Sequence, residues 1–206
     1  MIFKRNIFVI TIIVVLIAAG VLGFKAWSNT GNRLPIQHIQ GSFVVDVDNK
    51  NEVVGLVDYV FVAKVIHNKG TIHKDIVTME DEDGKPTEVG SPYTTYTIEV
   101  VDNIKGKLKK NIPFDILKQG GITLNGQAIQ MFEQDVLPEV GEYYVFLGYA
   151  QSDGSLLISG PNSNVPIKGS DEQEMVSSNI YRAYQEAVEN QVVTVKRERF
   201  TSDFEE

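Results

Sequence analysis

From Tyr93 to Gly121 the chain reads YTTYTIEVVDNIKGKLKKNIPFDILKQGG. Thr94, Tyr96, Ile98 and Val100 occupy every second position, and Thr95, Thr97, Glu99 and Val101 fill the gaps. A strand sends alternate residues to opposite faces, so this stretch predicts one apolar face and one mostly polar face. Asp102–Asn111 is expected to turn around Lys105-Gly106-Lys107, with Lys109 and Lys110 beyond. Ile112, Phe114 and Ile116 then share a face of the returning strand. Pro113 has no N–H for a ladder, so it marks a strand start or an edge. Gly120-Gly121 permits a sharp reversal or a bulge. Lys105, Lys107, Lys109 and Lys110 are the candidate ligand-binding residues, placed to meet an anionic polymer. The same charges would keep an exposed hairpin tip from aggregating.

The rest of the chain repeats this pattern. Gly41–Val47 suggests a first strand, and a short helix is expected to begin near Asn49 or Asn51 and bury Val53, Val54 and Leu56. Val57–His67, VDYVFVAKVIH, is apolar on both faces and reads as a central strand, ended by Asn68-Lys69-Gly70. Ile72, Ile76 and Val77 could extend a sheet, and Glu80–Gly84 reads as a hydrophilic loop. Asn125-Gly126 is a preferred two-residue hairpin turn between flanking strands. Tyr143–Tyr149 is an aromatic strand with a partner at Leu156–Ser159 across Ser152-Asp153-Gly154. Gly160–Gly169 is expected to be a loop. A helix follows to about Asn190, with Ser170 and Gln173 at capping-box spacing and an apolar stripe at Val176, Ile180, Tyr184 and Ala187/Val188. Gln191–Val195 suggests a short strand. Short strands, glycine-rich turns and one late helix predict a mainly β fold: a small antiparallel barrel with a C-terminal helix.

Ile7–Phe24, IFVITIIVVLIAAGVLGF, is uncharged and 18 residues long. As a helix it would span about 27 Å, close to the hydrocarbon thickness of a bilayer. Lys4 and Arg5 precede it, so the positive-inside rule places the N-terminus in the cytoplasm and the domain outside, on a single-pass cell-membrane protein. Trp27 follows at the interface. A cleaved signal peptide is the alternative, with weak small-residue matches at Ala18-Ala19-Gly20 and Val21-Leu22-Gly23. The expected organisation is a signal anchor over 1–27, a polar tether over 28–40, an extracytoplasmic domain over 41–195 and a charged, fraying tail over 196–206.

Met1–Trp27 holds three of the chain's 19 basic residues and none of its 27 acidic ones. The exported part is therefore strongly acidic, which disfavours nucleic acid as a partner. There is no cysteine, so disulfides, thiolate metal sites and cysteine nucleophiles are excluded. His38, His67 and His73 lack metal-site spacing, and the acidic run at Glu80–Gly84 fails the calcium-loop pattern. No nucleophile elbow, P-loop or dinucleotide fingerprint is present, and no cofactor is implied.

Several spaced segments together resemble a known group. They are Val57-Asp58-x-Val60-Phe61-Val62-Ala63-Lys64-Val65, Tyr93-Thr94 through Glu99-Val100, Ile104-Lys105-Gly106, Gly120-Gly121, and Gly141-Glu142-x-Tyr144-x-Phe146-Leu147. The group is an uncharacterised family of secreted or membrane-anchored Gram-positive surface domains. Its barrel is similar to the oligonucleotide/oligosaccharide-binding fold and to the inhibitory domain of tissue metalloproteinase inhibitors. Val57 and Ala63 stand where the pattern has Ala and Gly. The resemblance implies a fold and carries no active site. The expected function is a non-catalytic, membrane-tethered binding module for a protein or cell-envelope polymer. Two alternatives stay open: an envelope hydrolase using Asp/Glu chemistry, and an assembly partner of another membrane protein that docks through the Val176–Val188 stripe.

Overall fold

The computed structural model describes residues 34–80, 83–169 and 172–206. The expected membrane helix at Ile7–Phe24 and the cap at Ser170 lie outside them. The unit beginning at Ile36 is mainly β. Its elements are β1 (Ile36–Ile39), α1 (Lys50–Leu56), β2 (Tyr59–Glu80), β3 (Pro86–Lys105), β4 (Phe114–Gln119), β5 (Gly121–Ile122), β6 (Ile129–Phe132), β7 (Tyr143–Ala150), β8 (Leu156–Ile158), β9 (Asn164–Pro166), α2 (Glu172–Val176) and α3 (Asn179–Glu189).

The larger sheet has the order β2-β3-β4-β8-β7-β9, and β2 also pairs with β7. Each of β2, β3, β4, β8 and β7 therefore bonds two of the others. The narrowest link is β4–β8, a parallel pairing of Leu117 with Leu157 and Lys118 with Ile158. A second sheet, β1-β6-β5, pairs β1 with β6 in parallel.

β2 is central, as its two apolar faces predict. Tyr59, Phe61, Ala63 and Val65 join Tyr96, Ile98, Val100, Ile116, Phe146 and Ile158 in one core. Val60 and Val62 point the other way, onto Val54, Met175, Tyr181, Tyr184 and Ala187 from the three helices. Each fully buried side chain of this size stabilises by roughly 1.5–3 kcal/mol. The stripe on α3 is thus spent on the fold.

Several expectations are corrected. Residues 36–39, expected in the tether, form β1. Gly41–Val47 is irregular, because the Asp46 carboxylate accepts from Asp48 N at 3.0 Å and its carbonyl from Asn49 N at 3.1 Å, which turns the chain into α1. Asn68-Lys69-Gly70 does not end β2. Asn68 Oδ1 accepts from Gly70 N, Gly70 takes φ 99°, and the strand continues past this bulge. β3 runs through Ile104 and Lys105 before the chain turns. The loop after Gly160 contains β9, which pairs with β7. The late helix breaks at Ser177-Ser178, where Ser178 Oγ caps α3 by accepting from Tyr181 N at 3.1 Å. Gln191–Val195 forms no strand.

The expected fraying tail is bound. Arg197 and Arg199 pair with Asp58 at 2.5 and 2.9 Å, and Lys109 N donates to Phe204 O at 2.8 Å. Phe204 stacks on Phe114 with ring centroids 4.3 Å apart. Ser202 is buried, and Tyr59 Oη donates to Glu205 at 2.6 Å.

Candidate functional site

β2 and β3 have 22 and 20 residues, far beyond the usual five or six of a strand. Core burial ends near Pro92. Beyond it, 74–80 and 86–89 are exposed on both faces. The two strands leave the core as a two-stranded arm. At its root His73 Nε2 donates to Ile122 O at 2.8 Å, and Ile122 N donates to Thr71 Oγ1 at 3.1 Å. Thr94 Oγ1 donates to Gly120 O at 2.7 Å. A Cβ on Gly121 would lie 2.5 Å from both Thr71 Oγ1 and Thr94 Oγ1, so only glycine fits this junction.

An irregularity between Lys74 and Val77, with Asp75 at φ 53°, resets the register of the outer arm. Beyond it Val77 faces Val89, Thr78 faces Glu88, Met79 faces Thr87 and Glu80 faces Pro86. Directly opposed residues share a face, and the face alternates along each strand. One face therefore carries Val77, Met79, Val89 and Thr87; the other carries Thr78, Glu80, Glu88 and Pro86. Val77, Met79 and Val89 are 52%, 57% and 40% exposed. The outer arm has an uncovered apolar face, and Ile76, 51% exposed, lies beside Gly90 at the base of the opposite face.

Three of the four candidate lysines bond to different partners within the fold. Lys105 donates to Val54 O, Val57 O and Gln191 Oε1 at 2.5–2.8 Å. Burial beside Arg199 and Arg197 pulls its ammonium down to about 8. Lys110 pairs with Asp102 at 2.7 Å. Lys109 reaches Asp203 O at 3.3 Å. Lys107 is exposed, and the Lys110 side chain is 38% exposed. The expected contact tip is thus largely a bracing point for the fold.

Lys105 belongs to a cationic cap on α1. The last carbonyls of a helix lack intrahelical donors and sit at its negative end. Here Arg199 donates to Gly55 O and Val57 O, and Arg197 to Leu56 O. Asp58, held by both arginines, balances the charge and accepts from Ala150 N at 3.0 Å.

A second polar group is sealed in the interior. Lys118 Nζ donates to Asp135 Oδ2 at 2.5 Å and to Ser163 Oγ at 3.0 Å. The Lys118 and Asp135 side chains are 0% and 1% exposed. Burial pulls the ammonium down and pushes the carboxyl up, and the pairing opposes both. A serine beside a lysine has the makings of a nucleophile and base, but Lys118 and Asp135 are enclosed, and Ser163, 2% exposed, is the member of the group that lines the apolar cleft beside Phe43–Val45. The group pins the loop after β6 to β4 and to the approach to β9. Sequence reading missed Lys118, although its position two residues beyond Ile116 puts it on the inward face of β4.

A small apolar cleft of about 190 Å³ lies between Phe43–Val45 and Leu56, Val57, Leu147, Tyr149 and Leu157. It is smaller than the 300–1,000 Å³ usual for small-molecule sites. Among the described residues no three His, Asp or Glu side chains group as a metal site, and no helix is long and apolar enough to cross a membrane. No family model matches the chain, and no curated protein matches it by sequence.

Proposed function

We propose that the chain is a membrane-tethered, extracytoplasmic interaction module without catalytic activity, and that the β2–β3 arm is its contact element. The observation that carries this reading is the uncovered apolar face of Val77, Met79 and Val89. The ring of pairings β2-β3-β4-β8-β7-β2 and the short parallel link fit an oligonucleotide/oligosaccharide-binding-like barrel, the fold that the sequence resemblance implies. On this reading the barrel is a rigid base, and the arm extends the reach of a tethered domain. The Ile7–Phe24 segment supports the tether through its length and the flanking Lys4 and Arg5.

The helix stripe is a poor alternative contact, because Tyr184 and Ala187 are buried and Val176, Ile180 and Val188 pack, partly buried, against the same cluster. The hydrolase reading lacks a site: among the described residues the one carboxyl pushed up is Asp135, sealed against Lys118.

Two measurements test the proposal. The full-length protein is expected to sediment with membranes and to resist alkaline carbonate extraction; a shortened, soluble form alone in the medium would remove the tether. Replacing Val77 and Met79 with serine is expected to abolish capture of the native partner from envelope extracts while the thermal midpoint holds. Retained capture would move the contact off the arm.

A further inference from the structure

The binding role proposed for the arm does not by itself say what receives it. Its two faces, its edges and its size narrow the choice. Three aliphatic side chains on one face fall far short of the roughly 20–30 residues per side of a standard interface. Two copies stacked through these faces alone would not hold together. A bilayer is unsuitable for two reasons. The outer edges of a two-stranded ribbon carry unpaired N–H and C=O groups that lipid cannot satisfy. The opposite face also presents Glu80 and Glu88, which an anionic membrane or anionic wall polymer repels. Of the nearby lysines, Lys74 lies over the Tyr93 ring at 5.1 Å, and Lys85 is 3.6 Å from Asp83. Beyond Ile76 the outer arm therefore carries Glu80 and Glu88 as its charged groups on the side away from Val77, Met79 and Val89.

We infer that the arm inserts into a cleft of another protein. One wall of that cleft is apolar and meets Val77, Met79 and Val89. The opposite wall carries lysine or arginine side chains that meet Glu80 and Glu88. This inference rests on the arm being the contact element. Insertion covers both faces, supplies polar groups to both edges, and engages enough of the ribbon to make a specific interface. Opposite charge on the second wall sets the orientation in which the ribbon enters and speeds its capture.

The test places a photoreactive benzoylphenylalanine at Met79 or at Glu88 in the full-length chain in its own cells. Both positions are expected to crosslink to the same protein. Mass spectrometry is expected to find apolar residues joined to position 79 and a lysine- or arginine-bearing peptide joined to position 88. Glu80→Lys combined with Glu88→Lys is expected to reduce the adduct at position 79 about tenfold, with the far-ultraviolet circular dichroism and the thermal midpoint unchanged. An adduct between two copies of this chain, an adduct to lipid, or an adduct from one face only overturns the inference. An adduct insensitive to the double charge reversal removes the basic wall and leaves the arm as the contact. A control probe at Val44 distinguishes the larger failure: if it captures a protein and the arm positions capture none, the arm reading itself falls.

Discussion

Lys118 shows how one residue can be mistaken for its neighbours. In Phe114–Gln119 it reads as a polar strand residue, yet it is fully buried and paired with Asp135. Removing one partner of such a pair leaves the other charge without compensation. Lys118→Met is expected to cost about 3–5 kcal/mol in chemical denaturation, and pairing it with Asp135→Leu should recover most of that loss. Asp102 gives a pH-dependent counterpart. Burial pulls its pKa up, but hydrogen bonds from Lys110 and Tyr181 pull harder, so the net shift is downward. A lowered carboxylate adds stability that is present above the unfolded pKa and lost as pH falls through the folded one. Asp102→Asn should therefore narrow the difference in thermal midpoint between pH 7 and pH 3 relative to the unaltered protein. Neither partner was legible in the sequence. Asp135 and Tyr181 lie far along the chain from the residues they bind, and pairing at that distance leaves no periodic trace.

At the level of elements, β2, β3 and β7 were readable because burial of one or both faces writes a period of two into the chain. α1 was readable from Asn49, whose side chain accepts from Asn51 N at 3.1 Å. The break between α2 and α3 was not, because Val176, Ile180 and Tyr184 keep helical spacing straight across it. Ser178 fixes the restart. Ser178→Ala is expected to lower stability by about 1 kcal/mol, measured by urea denaturation, while leaving the sheet intact. The arm was half legible. Ile72, Ile76 and Val77 suggested a sheet, but nothing local showed that the strands run past the core and leave those side chains in water. A strand that packs and a strand that projects have the same alternation.

On the scale of the whole molecule, residues 191–206 act as a strap. The segment begins against α1, where a Cβ on Gly55 would lie 2.2 Å from Val192 O. It caps that helix through Arg197 and Arg199 and ends with Phe204 on Phe114 and Glu205 on Tyr59. Its sequence from Lys196, KRERFTSDFEE, reads as solvated, because charged residues bonded to distant carbonyls look the same as charged residues bonded to water. Phe204→Ala is expected to cost about 2 kcal/mol in thermal denaturation, below the 3–5 kcal/mol of a fully enclosed Phe, since Phe204 is only partly buried. The strap also ties the C-terminal end of the described chain to the start of β2. Tyr59 opens β2, and its hydroxyl is satisfied by Glu205, 146 positions later. The end of the first strand of the core is therefore sealed by residues 202–205. Under the proposed export from the N-terminal side, the contacts of residues 202–205 with Tyr59 and Phe114 close only after those residues have crossed.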